Sequence, residues 1–398
     1  MGASYRLFGL ETSPFSTKVR SYLRYKKLPF DWVPKTFGRD EEFRTLSKSD
    51  ALPMLVSPNG GISHDTSLIL NRIESTRNQP TATPDDAACR LIASLLEAYA
   101  DEWLNKAMFH YRWSGTAAAK ASAKRQVECI FDGFEVEDRA GIEKSVAKSM
   151  TGRLKVIGLN KKNGQLVEKS FQRFLTLLNA HLEHHLFLFG GHPSLADFAL
   201  AGQLIQLMMD DEPATLIRET APFVSAWCEF MEDPRPGAPF ETFEQVSETL
   251  LPLIRDEVAE TYVAWSLAND ASIAAKRKTV TVEIDGEEYK QSVQHHSARN
   301  FANLKTVFAE AQNAEAVESF LDDAGLGEVF DVGTKTPQQA ETSEESVSEE
   351  TSSDSPEAEG ENEKKSSSRS RSSSRRRNRK PRKPKTDNGS DQAERSVV

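Results

Sequence analysis

Three short stretches near the N-terminus hold residues whose types and spacing suit the binding of a small, carboxylate-bearing peptide. Ser13-Pro14 precedes the apolar run Val19, Tyr22 and Leu23. A serine at a helix start, with proline at the first helical position, aims a hydroxyl and the positive end of a helix dipole at one point. Leu52-Pro53-Met54 leads into a short apolar strand. Pro53 has no N–H, and a cis bond there leaves the backbone before it open to pairing by an extended peptide. Asp65-Thr66 opens another helix with Ser67-Leu68-Ile69, and the free N–H groups of a helix N-terminus suit a carboxylate. Each stretch also has a plain reading: Ser13 as an N-cap, Asp65-Thr66 as a capping pair, Leu52–Val56 as an edge strand. Their order and spacing within the first 75 residues make them mutually supporting.

The elements that must position them follow from the same stretch. Tyr5–Gly9 reads as a strand, Pro14 begins a helix, Met54 begins a strand, Pro58-Asn59-Gly60-Gly61 reverses the chain, and Asp65 starts a second helix. This succession resembles the thioredoxin-like, glutathione-binding domain of the glutathione S-transferase superfamily. The resemblance implies that Ser13 donates a hydrogen bond to the glutathione thiolate, as a donor and not a nucleophile. Related reductases carry cysteine in a Cys-Pro-Phe context that this chain keeps as Ser13-Pro14-Phe15, so serine-type transferases are the nearer comparison; Thr12 and Ser16 remain alternative donors. The resemblance further assigns Pro53 and the Met54 backbone to the cysteinyl part of glutathione, and Asp65 and Thr66 to its γ-glutamyl end. A basic residue between Lys35 and Arg44 is expected at the glycyl carboxylate, with nothing to select Lys35 over Arg39.

A second signature lies at Phe189–Leu200. Ser194 and Asp197 have capping-box spacing, Pro193 and Phe198 can form a hydrophobic staple, and Leu200, Leu204, Leu207 and Met208 recur at helical spacing. It resembles the capping motif of the all-helical transferase C-terminal domain, where its role is folding. Residues 78–84, with two prolines, read as a linker. A long helix is expected from Pro84 to Trp113, ending in His110-Tyr111-Arg112-Trp113, which either lines an electrophile pocket or is a helix end with aromatic packing and a solvated Arg. Residues 114–165 read as one or two helices and a loop that form part of that pocket. Phe171, Phe174, Leu175, Leu178, Leu182 and Leu186 give an amphipathic stripe, and His181, His184 and His185 read as a polar helix face rather than metal ligands. Residues 241–275 look helical, Thr279–Ile284 and Glu287–Val293 form a hairpin about Asp285-Gly286, and Asn300–Leu326 is helical again.

The expected organisation is therefore a thioredoxin-like α/β domain over 1–78, an all-α helical bundle domain over 84–240, an accessory helix and hairpin extension over 241–333, and a tail over 334–398. At 398 residues and 38% apolar content the chain can bury a core over most of its length. Three widely spaced cysteines, with no metal-ligand spacing, indicate neither a disulfide framework nor a zinc site and fit a cytoplasmic protein. No apolar run is long enough to span a membrane. The net charge of −10 hides a division: residues 341–363 carry ten acids and no base, and residues 364–385 carry twelve Lys or Arg and no acid. Such a tail lacks the apolar content to pack and reads as disordered. Its Arg/Ser/Lys block suits weak, salt-sensitive, nonspecific binding of nucleic acid, without aromatic residues to stack bases. Two functions follow: a transferase joining glutathione, as co-substrate, to a hydrophobic electrophile in a homodimer without metal, or a non-catalytic scaffold whose tail is the working part.

Overall fold

β1 (Tyr5–Gly9) and β2 (Phe30–Pro34) run parallel, joined by α1 (Pro14–Tyr25), because parallel strands need a crossover rather than a tight turn. In this computed structural model, residues 4–332 are described apart from 48, 78 and 313. The short helix α2 (Asp40–Leu46) follows β2; then β3 (Met54–Val56) and β4 (Ile62–Ser63) complete a sheet of order β2-β1-β3-β4, with β3 antiparallel to β1. α3 (Thr66–Thr76) closes this thioredoxin-like domain. Ser13 caps α1, its Oγ accepting from the Ser16 N–H at 3.2 Å, and Asp65 caps α3, accepting from the Leu68 N–H at 3.1 Å. The Leu52-Pro53 peptide is cis.

The long helix is interrupted. α4 (Ala87–Tyr99) passes through a π-helical turn at Ala100–Leu104 into α5 (Asn105–Trp113). The stretch that the sequence leaves loosely defined holds α6 (Thr116–Ile130) and α7 (Arg139–Arg153), and α8 (Lys161–Leu182) follows. Leu186 lies beyond α8 and is 50% exposed, so the apolar stripe ends at Leu182. α9 (Leu195–Leu207) is buried along nearly its whole length, and its capping box is formed: the Ser194 N–H donates to Asp197 Oδ2 at 2.8 Å and the Asp197 N–H to Ser194 Oγ at 3.4 Å. α10 (Asp211–Thr220) and α11 (Pro222–Phe230) follow.

α9 sets the position of the Ser13 turn. Phe198 meets the rings of Tyr22 and Tyr25 at centroid distances of 5.3 and 5.5 Å. At Gly202 a Cβ would lie 2.7 Å from the Pro14 carbonyl oxygen, so only glycine lets α9 rest against the first turn of α1.

The extension contains α12 (Phe243–Leu253), a π-helical stretch at Ile254–Val263, α13 (Ala264–Ala274), the hairpin β5 (Thr279–Ile284) and β6 (Glu287–Ser292), α14 (His295–Ala309) and α15 (Ala316–Asp323). Asp285 and Gly286 both take positive φ, 52° and 72°, as a two-residue hairpin turn requires. The helical run expected over 300–326 is broken between α14 and α15. One apolar core runs from Leu7 to Val332 and takes in every element of the extension, while α6 and α7 pack in a separate cluster with Leu10 and Trp113, and Phe43 of α2 in a third with Phe8, Val33 and Met54. Polar ties join the extension to the bundle: Lys106 Nζ sits 4.4 Å from the Trp265 ring centroid and donates to Gln291 at 2.9 Å. Residues 333–398, which include the expected tail, lie outside the described residues.

Glu257 is the deepest of these ties. Its carboxylate is fully buried and accepts from Tyr99 OH at 3.0 Å, Ser170 Oγ at 2.5 Å and Arg173 Nε at 2.8 Å. Burial pushes the carboxyl from 4.5 up to about 7, against the pull of Arg173 and the hydroxyl donors. A carboxyl that holds its proton more tightly folded than unfolded contributes stability below the unfolded pKa that is lost as pH rises through the folded one. Glu257→Gln, neutral at every pH, is therefore expected to gain melting temperature relative to wild type as pH rises from 4.5 to 7. Calorimetric scans showing a constant difference across that window would contradict this.

Candidate active site

A cleft of about 290 Å³ opens where the turn from Leu10 to Phe15 faces the helical bundle. α5 presents Asn105, Met108, Phe109, Arg112 and Trp113, the i, i+3, i+4, i+7, i+8 set of one helix face. α6 adds Ser122, Arg125 and Gln126, α7 adds Met150 and Arg153, and Ala51 and Leu52 close the side nearest the sheet. The floor is largely apolar. Its charged groups are three arginines, and no Asp or Glu is among the lining residues.

The three hydroxyls considered from sequence separate clearly. Ser13 and Thr12 are half-buried on the cleft wall. Ser16 is buried, its Oγ accepting from the Leu10 N–H at 3.3 Å, and it does not line the cleft. Because Ser13 Oγ acts as acceptor for the Ser16 N–H, its own proton remains free to donate into the cleft, beside the positive end of α1. The backbone of this turn is held from behind: Arg112 Nη1 donates to the Thr12 carbonyl at 2.9 Å.

Other expected residues are placed unevenly. Leu52, just before the cis-proline, is on the cleft wall, whereas Met54 pairs with Phe8 inside the sheet with its side chain fully buried, and Pro53 is buried beside it. The residue at the wall is thus the one preceding Pro53, because strand pairing with β1 begins at Met54. Asp65 and Thr66 stand at the start of α3, outside the lining of this cleft, Asp65 exposed and Thr66 buried. Next to them, Ser67 Oγ donates to Glu97 at 2.7 Å, and Lys18 Nζ lies 2.8 Å from both Glu97 and Asp101, which ties α1, α3 and the α4 rod together. Burial raises the Asp101 carboxyl to about 6, against the attraction of Lys18. Lys35 is buried 3.5 Å from Asp40, and burial lowers its ammonium pKa although Asp40 pulls it back up. Arg39 is exposed and pairs with Glu42 at 2.8 Å.

The His110–Trp113 stretch divides between two faces. Trp113 and Arg112 line the cleft; His110 and Tyr111 line a separate cavity, where His110 Nε2 is 2.6 Å from Glu168. A solvated Arg112 is ruled out: it is 3% exposed and donates to Asp210 Oδ2 at 2.9 Å and to the Gln206 carbonyl at 2.6 Å. Nor do the three histidines share a polar face. His181 and His185 stack at 4.7 Å, His181 fully buried, while His184 is exposed. Among the described residues no group of three or more His, Cys, Asp or Glu is placed to hold a metal ion. Met108, Phe109, Arg125 and Arg153 were not expected at the site from sequence, Met108 having been read only as part of the long helix's apolar spacing, though the α5 pair falls on the same helix face as Trp113.

The fold joins an N-terminal thioredoxin-like domain to a mainly helical remainder, and the cleft is lined from both. Comparison with known proteins bears on the same two segments: residues 7–81 match the family model for the glutathione S-transferase N-terminal domain, and residues 142–230 that for its C-terminal domain. These two segments are thus similar to the two domains of glutathione S-transferases. The chain is 28% identical over 149 residues to glutathione S-transferase U17 of Arabidopsis thaliana, a match that covers 36% of this chain and 63% of that protein's length. Among solved structures it is similar to a glutathione S-transferase of Rhodospirillum rubrum (20% identity, 57% of this chain and 87% of that one, TM-score 0.39). It is also similar to the β-etherase LigF of a Sphingobium strain (16% identity, 57% and 93%, TM-score 0.42). No described helix is long and apolar enough to cross a membrane.

Proposed function

We propose that the chain is a glutathione transferase in which the cleft beside Ser13 holds the peptide's thiol and the apolar wall of α5 to α7 receives the electrophile. The observation that carries this reading is the Ser13 hydroxyl, whose oxygen accepts from the Ser16 N–H and whose proton is free to donate, at a helix start that forms one wall of a mostly apolar cleft. A thiol is mostly protonated near pH 7, and one hydrogen-bond donor together with a helix dipole favours the thiolate. The sulfur then forms a bond to the electrophilic carbon, the leaving group departs with its electron pair, and the thiol proton goes to solvent. The Leu52 backbone is the group available to an extended peptide, and Asp65, with the N–H groups of α3, is assigned to the γ-glutamyl end.

The test begins with binding. Wild-type protein should be retained on immobilised glutathione, and calorimetry should find Asp65→Asn, which keeps an N-cap but loses the charge, weaker by about 1.5–3 kcal/mol. Normal affinity in a folded Asp65→Asn protein would remove that residue from the site. Failure of the wild type to bind glutathione at all would favour the scaffold reading.

A further inference from the structure

Arg153 distinguishes the cleft from a purely apolar pocket. The other two arginines on its wall are committed: Arg112 and Arg125 both reach Asp210, at 2.9 and 2.5 Å, and each also donates to a backbone carbonyl. Arg153 is half-buried at the end of α7, and among the described residues its guanidinium has neither a hydrogen-bond nor an ion-pair partner. The cleft wall supplies it with no carboxylate, and Asp210 is already shared by two cations. A guanidinium in that setting lacks a counter-anion, while Met108, Phe109, Trp113 and Met150 beside it offer surfaces for a flat apolar body.

We infer that Arg153 is a specificity-determining residue that selects aromatic electrophiles carrying an anionic group, such as a ring carboxylate, and pairs with that group while the ring lies on the apolar wall. This rests on the transferase reading of the same cleft. A cation at a helix C-terminus also complements the helix dipole, and that role affects stability alike whatever the substrate. Discrimination between substrates separates the two roles.

The experiment compares chlorodinitrobenzene with its ring carboxylate, chlorodinitrobenzoate. In both reactions the glutathione sulfur bonds to the ring carbon, chloride leaves with the electron pair, and the thiol proton passes to solvent. Arg153→Gln is expected to lower kcat/KM for the benzoate about ten- to a hundredfold, mainly through KM, and to leave the neutral substrate within about twofold. Arg153→Lys should restore part of the preference for the acid. Equal effects on the two substrates, or none on either, would overturn the inference. If wild type turns over neither substrate, the transferase reading fails by itself, and Arg153 is then judged by calorimetric binding of dinitrobenzoate. Weaker binding to Arg153→Gln upholds the anion site, and unchanged or absent binding refutes it.

Discussion

Ser13→Ala is expected to reduce turnover about ten- to a thousandfold while glutathione binding changes little. The asymmetry follows from what the hydroxyl does. Its oxygen caps α1, accepting from the Ser16 N–H at 3.2 Å, which leaves its proton free to donate to a ligand, and a proton donor favours thiolate over thiol. Loss of the cap also costs helix stability, on the order of 1 kcal/mol, which a urea titration detects separately from activity. Ser13→Thr keeps both the cap and the donor and should retain most of the rate. Thr12→Ala is the discriminating control, because Thr12 also lines the cleft. If Thr12→Ala loses the rate and Ser13→Ala does not, the donor is Thr12. Ser16 offers no such alternative, since its hydroxyl faces the interior.

The second large effect is structural. Arg112→Leu is expected to destabilise the fold by about 3 kcal/mol, as for breaking a buried, hydrogen-bonded charge pair. The side chain links the Thr12 carbonyl at 2.9 Å, Asp210 at 2.9 Å and the Gln206 carbonyl at 2.6 Å, so one residue holds the Ser13 turn, α9 and the segment after it together. Removing it leaves buried acceptors without their donor, and Arg125 alone remains to balance Asp210. The turn that carries Ser13 also loses its anchor, so the remaining folded protein should show a lower kcat. A urea titration giving a loss below about 1 kcal/mol would mean that neighbouring groups take over these bonds.

The local rules of helix starts made much of the fold legible. Ser13, Asp65 and the Ser194/Asp197 box each cap a helix, because an N-cap is fixed by a side chain and the backbone a few residues on. The hairpin at Asp285-Gly286 was readable for the same reason. What long-range packing decides was harder to read. Met54 was assigned to the ligand, but pairing with Phe8 takes it into the sheet and leaves Leu52 at the wall. Arg112 was left open between a pocket wall and a solvated helix end, because its partners lie about a hundred residues away, at Thr12, Gln206 and Asp210, where no local pattern marks them. No strand was read from sequence over Phe30–Pro34; β2 is a strand because β1 supplies its hydrogen bonds. Five of the seventeen cleft residues, Ser122, Arg125, Gln126, Met150 and Arg153, come from α6 and α7, which are weakly patterned helices.

The most direct measurement is the ionisation of glutathione on the protein, followed by the ultraviolet absorbance of the thiolate as pH is raised. With the Ser13 hydroxyl and the start of α1 acting together, the bound thiol should titrate at least one unit below its ordinary value of about 8.5, and Ser13→Ala should return it most of the way. A bound thiol that titrates at its solution value in the wild-type protein, or one whose titration ignores the loss of Ser13, would contradict the assignment of this cleft as the thiolate site.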